Sequence, residues 1–147
     1  MSDEVGVTQT ITVGDGSGKR GNCLQAAVAS FLRADLDRVP DFANLGPLDE
    51  DGFGIWWDCL FYGYLVAKGF LVRTVGLGNK PIPAERCLVY GTSPRGNGIN
   101  HVVVADHGRI VWDPHPSRDG LAVVQGAWIP ERIDEIRATV RAWEERK

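Results

Sequence analysis

Apolar residues recur with helical spacing at two places in the first half of the chain and with strand-like spacing in the second. Between Gly21 and Leu32, the residues Leu24, Ala27, Val28, Phe31 and Leu32 fall at i, i+3, i+4, i+7 and i+8. That is one buried face of a helix running to about Arg33. Asn22 suits its N-cap, and Gln25 three residues on completes a capping box. A second helix is predicted from about Phe53 to Lys68, with Trp56, Trp57, Leu60, Phe61, Tyr64 and Leu65 as apolar positions read as core, and Gly69 as the stop. Between the two, residues 35–48 read as a connector with a turn at Val39-Pro40, where Asp37 caps a short helical turn. Strands are predicted at Phe70–Gly76, Cys87–Thr92, Val102–Asp106 and Arg109–Asp113, with Pro81-Ile82-Pro83 marking a turn. Shorter strands are expected at Thr8–Val13 and, on an edge, at Leu121–Val124. A tail helix opens at Pro130 or Glu131 and carries Ile133, Ile136, Val140 and Trp143. Helices first and an antiparallel sheet after make an α+β domain.

These elements put three reactive side chains at element ends. Cys23 falls in the first turn of the first helix, where unpaired N–H groups and the helix dipole favour a thiolate. His101 opens one strand and Asp113 closes the next. Whether they meet depends on the hairpin between them. A three-residue loop, Asp106-His107-Gly108, pairs Ala105 with Arg109 and sets His101 directly opposite Asp113 on one face of the sheet. A two-residue loop, His107-Gly108, sends the two side chains to opposite faces, since a one-residue slip flips every side chain. The functional reading therefore expects the longer loop. An aspartate that orients a histidine, which deprotonates a cysteine, is the arrangement of covalent nucleophilic catalysis.

The order cysteine, histidine, aspartate, with the cysteine at a helix start, resembles the papain-like cysteine peptidase superfamily. The small single-domain, bacteriocin-processing peptidase branch is the most similar. A group of small phage and bacterial proteins resembles it more closely still. The shared residues are Gln9-Thr10, Gly21 to Leu32, Leu36 to Phe42, Ser93 to Gly96 and Asn100 to Leu121. The resemblance implies a papain-like fold, with N-terminal helices on a small antiparallel sheet. It also implies Cys23 as nucleophile, His101 as general base and acid, and Asp113 as orienter. Gln9 is the implied oxyanion-hole donor beside the Cys23 N–H. Its distance in sequence from Cys23 is longer than in typical members, so the loop Gly14-Asp15-Gly16-Ser17-Gly18 must bring it back. The implied reaction is hydrolysis of a peptide, isopeptide or related amide bond. An acyltransferase or transglutaminase-like reaction uses the same triad, and a non-catalytic papain-like binding module that engages a host factor is the alternative from another class.

Several residues admit two readings. His115 either replaces His101 as base, lines the site, or shapes the proline-rich turn Asp113-Pro114-His115-Pro116. Arg95, in the polar loop Ser93–Gly98, is a solvated loop residue or a bidentate carboxylate ligand. Asn22 and Asn100 are structural or contact substrate. Cys59 and Cys87 read as small buried hydrophobes, and His107 as an exposed hairpin tip.

Composition narrows the classes. The 147 residues fit one domain, long enough to bury about 70% of the unfolded surface. A net charge of −3 with intermixed signs gives no nucleic-acid surface. Three widely spaced cysteines make no disulfide framework. No zinc-ligand spacing, GxGxxG or GxxxxGK[ST] motif occurs, so no metal or cofactor is expected. No apolar run reaches membrane-spanning length, and Met1–Val5 has neither basic patch nor apolar stretch, so a cytoplasmic protein is expected. The expected partner is a peptide or protein substrate.

Overall fold

The computed structural model describes residues 4–13, 15–16, 20–96 and 99–146. Helix α1 spans Cys23–Leu32, a 3-10 turn Leu36–Arg38, and helix α2 Trp57–Ala67. Strands β1 (Phe70–Gly76), β2 (Cys87–Thr92), β3 (Asn100–Asp106), β4 (Arg109–Trp112) and β5 (Val123–Arg132) follow, and helix α3 (Ile133–Glu145) closes the chain. The strands form one antiparallel sheet in the order β1-β5-β2-β3-β4, so the molecule is α+β.

Apolar side chains cover both faces of the sheet centre. Leu88, Val102, Val104 and Trp128 pack with α1, α2, Val39 and Phe42. Cys87, Val89, Val103, Ala105, Ala127 and Ile129 form a second cluster with Leu77, beneath loops carrying Ile82 and Leu121. Two covered faces explain why β2 and β3 read as near-continuous apolar runs rather than alternating ones. Helix α1 is enclosed more fully than its predicted stripe. Ala26, Ala29 and Ser30 are buried along with Leu24, Ala27 and Val28, while Phe31 and Leu32 are only partly covered. Its alanines let the helix sit close against β3, and it ends at Arg33 in the left-handed region, φ 54°. Among the described residues no helix is long and apolar enough to cross a membrane.

Several local expectations are corrected. Residues 8–13 form no strand; Asn22 Oδ1 and a backbone bond from Gln9 to Pro114 hold that segment, and side chains hold Val7 just before it. Ser30 Oγ accepts the Val7 N–H (2.8 Å), and Trp112 Nε1–H donates to the Val7 carbonyl (2.9 Å). The Asn22–Gln25 capping box does not form, because Asn22 has φ −102° and ψ 35° and its side chain makes no cap hydrogen bond. Gln25 Nε2 donates instead to the carbonyls of Leu36 (3.1 Å) and Val39 (2.8 Å), tying α1 to the 3-10 turn. Asp37 lies within that turn and Asp35 precedes it, without a side-chain cap. Helix α2 begins at Trp57, not Phe53; Trp56 before it is 52% exposed, outside the core. Cys59 is exposed rather than buried.

The largest correction is β5. Leu121–Val124 is not a separate edge strand, nor does Pro130 open a helix. A ten-residue strand, starting at Val123 and running through Pro130, lies between β1 and β2. Gly126 and Pro130 read as breakers in sequence, but each has a place in the sheet. The Tyr90 ring crosses Gly126, where a Cβ would overlap it. Pro130 lies past Trp128, the last β5 residue paired with β2, where its missing N–H is tolerated.

The β3–β4 hairpin also differs. Its register runs Asp106↔Arg109 and Ala105↔Ile110, so the loop is His107-Gly108. Both loop residues have positive φ, 53° and 81°, as a two-residue type I′ turn requires. This loop alone would separate His101 from Asp113. One surplus residue on β4 reverses the flip: the register steps at Val104↔Trp112 and leaves Val111 without a partner. Continued past Trp112, that register sets Asp113 opposite Val103, on the same face as His101 and diagonal to it.

Candidate active site

Each element delivers one reactive group. Cys23 is the first residue of α1 and is half-buried on the wall of a cleft of roughly 750 Å³. His101, the second residue of β3, is 3% exposed and lines the same cleft. Asp113, just past β4, is 5% exposed. Gly91, the β2 partner of His101, sits at a bulge where a Cβ would collide with the Val123 carbonyl, so only glycine fits there.

The carboxylate of Asp113 is fully committed. Oδ1 lies 2.6 Å from His101 Nε2 and accepts the His115 N–H at 2.9 Å. Oδ2 accepts the Gly120 N–H at 2.7 Å. With Nε2 held by Asp113, Nδ1 is the ring nitrogen left free to face a partner, and Cys23 lines the same cleft. The imidazole is therefore held at its Nε2 end by a carboxylate that two backbone N–H groups orient in turn.

The electrostatics follow from this geometry. Burial works against a charged imidazole, but the hydrogen bonds to Asp113 and Cys23 outweigh it and raise His101 from 6.5 to about 9. Burial likewise opposes the Asp113 carboxylate, yet its bonds to His101, His115 and Gly120 hold it below its ordinary 3.8. His115 moves the other way: burial, then the Arg95 and His101 charges, lower it. The shifts favour the imidazolium at His101 and the neutral form at His115. The other cysteines offer no comparable environment. Cys87 is pushed up to about 11, chiefly by burial, and Cys59 is solvent-exposed.

The remaining candidates separate into lining and framework. Gln9 is 7% exposed and lines the cleft, 3.6 Å from where a Cβ on Gly21 would stand. Its backbone N–H donates to Pro114 O (3.0 Å), tying it to the Asp113 turn, and its Nε2 donates to Ile11 O (2.8 Å). One amide hydrogen is left over, and Oε1 is buried with no partner among the described residues. Of the loop expected to return Gln9 to the site, residues 14 and 17–18 lie outside the described residues. Asn22 does not line the cleft. It is 2% exposed and entirely used in holding the N-terminal segment: Oδ1 accepts from Thr10 N and Ile11 N, and Nδ2 donates to Thr10 Oγ1 and Gln25 Oε1. Asn100 is exposed on the cleft rim, in β3 rather than in a turn. His115 lines the cleft with its ring edge-on to His101, centroids 6.2 Å apart, but the ring that Asp113 holds is His101. Arg95 lines the cleft too, its backbone N–H fixed by Ser93 Oγ; residues 97–98 of that loop lie outside the described residues.

Sequence reasoning missed Gly120 and Ser117. Nothing local marks Gly120 as a donor to a carboxylate seven residues earlier. Ser117 bridges Arg95 Nη1 (3.0 Å) and His115 Nδ1 (2.9 Å). The aromatic stripe is also only partly core, since Trp57 joins Tyr90 and Trp128 on the cleft wall. Among the described residues no group of three His, Cys, Asp or Glu is placed to hold a metal ion. Chemically the arrangement places a thiol, an imidazole held by a buried carboxylate, and a side-chain amide around one open volume. No family model, no curated protein and no solved structure matches the chain.

Proposed function

We propose that this protein is a papain-like, cysteine-dependent hydrolase that cleaves a peptide, isopeptide or related amide bond through Cys23, His101 and Asp113. The observation that carries the reading is a buried imidazole with Nε2 2.6 Å from a buried carboxylate, in a cleft that the helix-start thiol of Cys23 also lines. A structural core histidine needs neither a thiol at a helix start nor an open cleft beside it.

In the first half-reaction, Cys23 Sγ attacks the substrate carbonyl and a C–S bond forms. The oxyanion accepts hydrogen bonds from the Cys23 N–H, one of the donors a helix leaves unpaired, and from Gln9 Nε2. As the C–N bond breaks, the His101 imidazolium gives its proton to the leaving amine. In the second half, neutral His101 takes a proton from water, whose oxygen attacks the thioester. The C–S bond breaks, a carboxylic acid leaves, and the thiolate–imidazolium pair returns. The general acid–base step is worth about 10²- to 10⁴-fold.

A mixed-sequence peptide library incubated with wild type and with Cys23→Ala tests this directly. Cleavage products formed by wild type and lost in the variant support the reading. Identical products from both proteins, or none from either, contradict it.

A further inference from the structure

We propose that the leaving-amine side of the cleft selects a carboxylate, so that preferred substrates carry an anionic group on the amine portion of the scissile bond. This deepens the triad reading and rests on it. The described cleft lining includes Arg20, Arg95 and His115 but no aspartate or glutamate. The charged side chains that line the cleft are therefore cationic, while the Asp113 carboxylate behind it is already taken up by His101, His115 and Gly120.

Arg95 is the better placed of the two arginines. Arg20 donates from Nη2 to the Asp51 carbonyl (2.9 Å) and lies over the Phe53 ring. Arg95 spends one donor, Nη1, on Ser117 Oγ and has no ion-pair partner among the described residues. The rest of its guanidinium fork is left for a planar anion, which it can hold bidentately. Its loop is pinned at Ser93, which is 4% exposed. The next link sets the direction. Ser117 Oγ also contacts His115 Nδ1, and that nitrogen accepts the Ser117 N–H (3.0 Å). A neutral His115 therefore carries its proton on Nε2, a second donor beside Arg95. The His115 ring stands edge-on to His101, and His101 is the group that protonates the leaving amine. Arg95, Ser117 and His115 thus flank the amine portion of the substrate.

A matched pair of electrophiles tests this on the full-length protein, in a Cys59→Ser background that removes the exposed thiol. N-iodoacetylglycine and N-iodoacetylglycinamide alkylate Sγ with loss of iodide and differ only in a carboxylate beyond the amide nitrogen. We expect Cys23 to react roughly tenfold faster with the acid than with the amide. Arg95→Gln should bring that ratio close to one, while Arg109→Gln, which removes the same charge from an exposed position on β4, should keep it. A ratio near one in the parent protein, a ratio that survives Arg95→Gln, or one that falls equally in Arg109→Gln would overturn the proposal. If Cys23 reacts with both probes no faster than in the urea-unfolded chain, the triad reading itself fails, and this proposal with it.

Discussion

Asn22 shows how much of the candidate site is built by a residue outside the cleft lining. Its amide oxygen accepts two backbone N–H groups, Thr10 at 3.0 Å and Ile11 at 2.8 Å, and so holds Gln9 beside the start of α1. Asn22→Ala strands both donors, at a cost of about 2–3 kcal/mol. Urea unfolding should show that loss of stability; a change below about 0.5 kcal/mol would mean the segment is held elsewhere. Asp113→Asn removes charge while leaving a hydrogen-bonding side chain in place. Without the carboxylate the imidazolium is less favoured, and alkylation at Cys23 should slow by roughly tenfold while the fold persists, since a thiol at its free pKa of about 8.5 is still about 3% thiolate at pH 7. Alkylation kinetics at pH 7 would check this, and an unchanged rate would remove Asp113 from the site. Cys23, His101 and Asp113 are legible in sequence because each is a reactive group at an element end. The framework roles of Asn22 and Gln25 are not. Their local signal, a capping box, is real, but partners 11 to 14 residues away win the hydrogen bonds.

The hairpin of β3 and β4 carries the same lesson at the level of elements. Sequence spacing fixes the requirement that His101 and Asp113 share a face, but not the means. The chain uses a short turn plus a bulge at Val111 where a longer loop would also have served, and both keep the same parity. His107 occupies the left-handed region at φ 53°, which histidine tolerates and β-branched residues do not. His107→Val should therefore cost about 1–2 kcal/mol, whereas His107→Asn should be neutral or slightly stabilising. Equal stability of the two variants in urea would contradict the type I′ turn. Strand β5 was hidden for a related reason. Its glycine and proline are explained by Tyr90 and by the end of the β2 pairing, both long-range facts, whereas β1 and β2 announce themselves by runs of β-branched and aromatic residues.

At the scale of the molecule, α1, β3 and the turn after β4 enclose an ion pair that ties stability to pH. His101 binds its proton more tightly folded than unfolded, so its contribution is complete below pH 6.5 and is lost as pH rises through about 9. Asp113 is held below 3.8, so its contribution is present above that value and is lost as pH falls further. Stability from this pair should be greatest between these limits. In Cys23→Ser, where no thiolate accompanies the imidazolium, unfolding free energy should decline as pH rises above 6.5, and adding His101→Ala should flatten that slope. Identical slopes in both proteins would show that the pair is not coupled to folding. Whether the enclosed groups also act as a reactive pair is decided by one measurement, the rate of iodoacetamide labelling at Cys23 against pH, in Cys59→Ser with and without His101→Ala. We predict rapid, selective labelling of Cys23 at about pH 7 that disappears with His101. Slow labelling at Cys23, rising only above pH 8 and indifferent to His101→Ala, would contradict a thiolate–imidazolium pair.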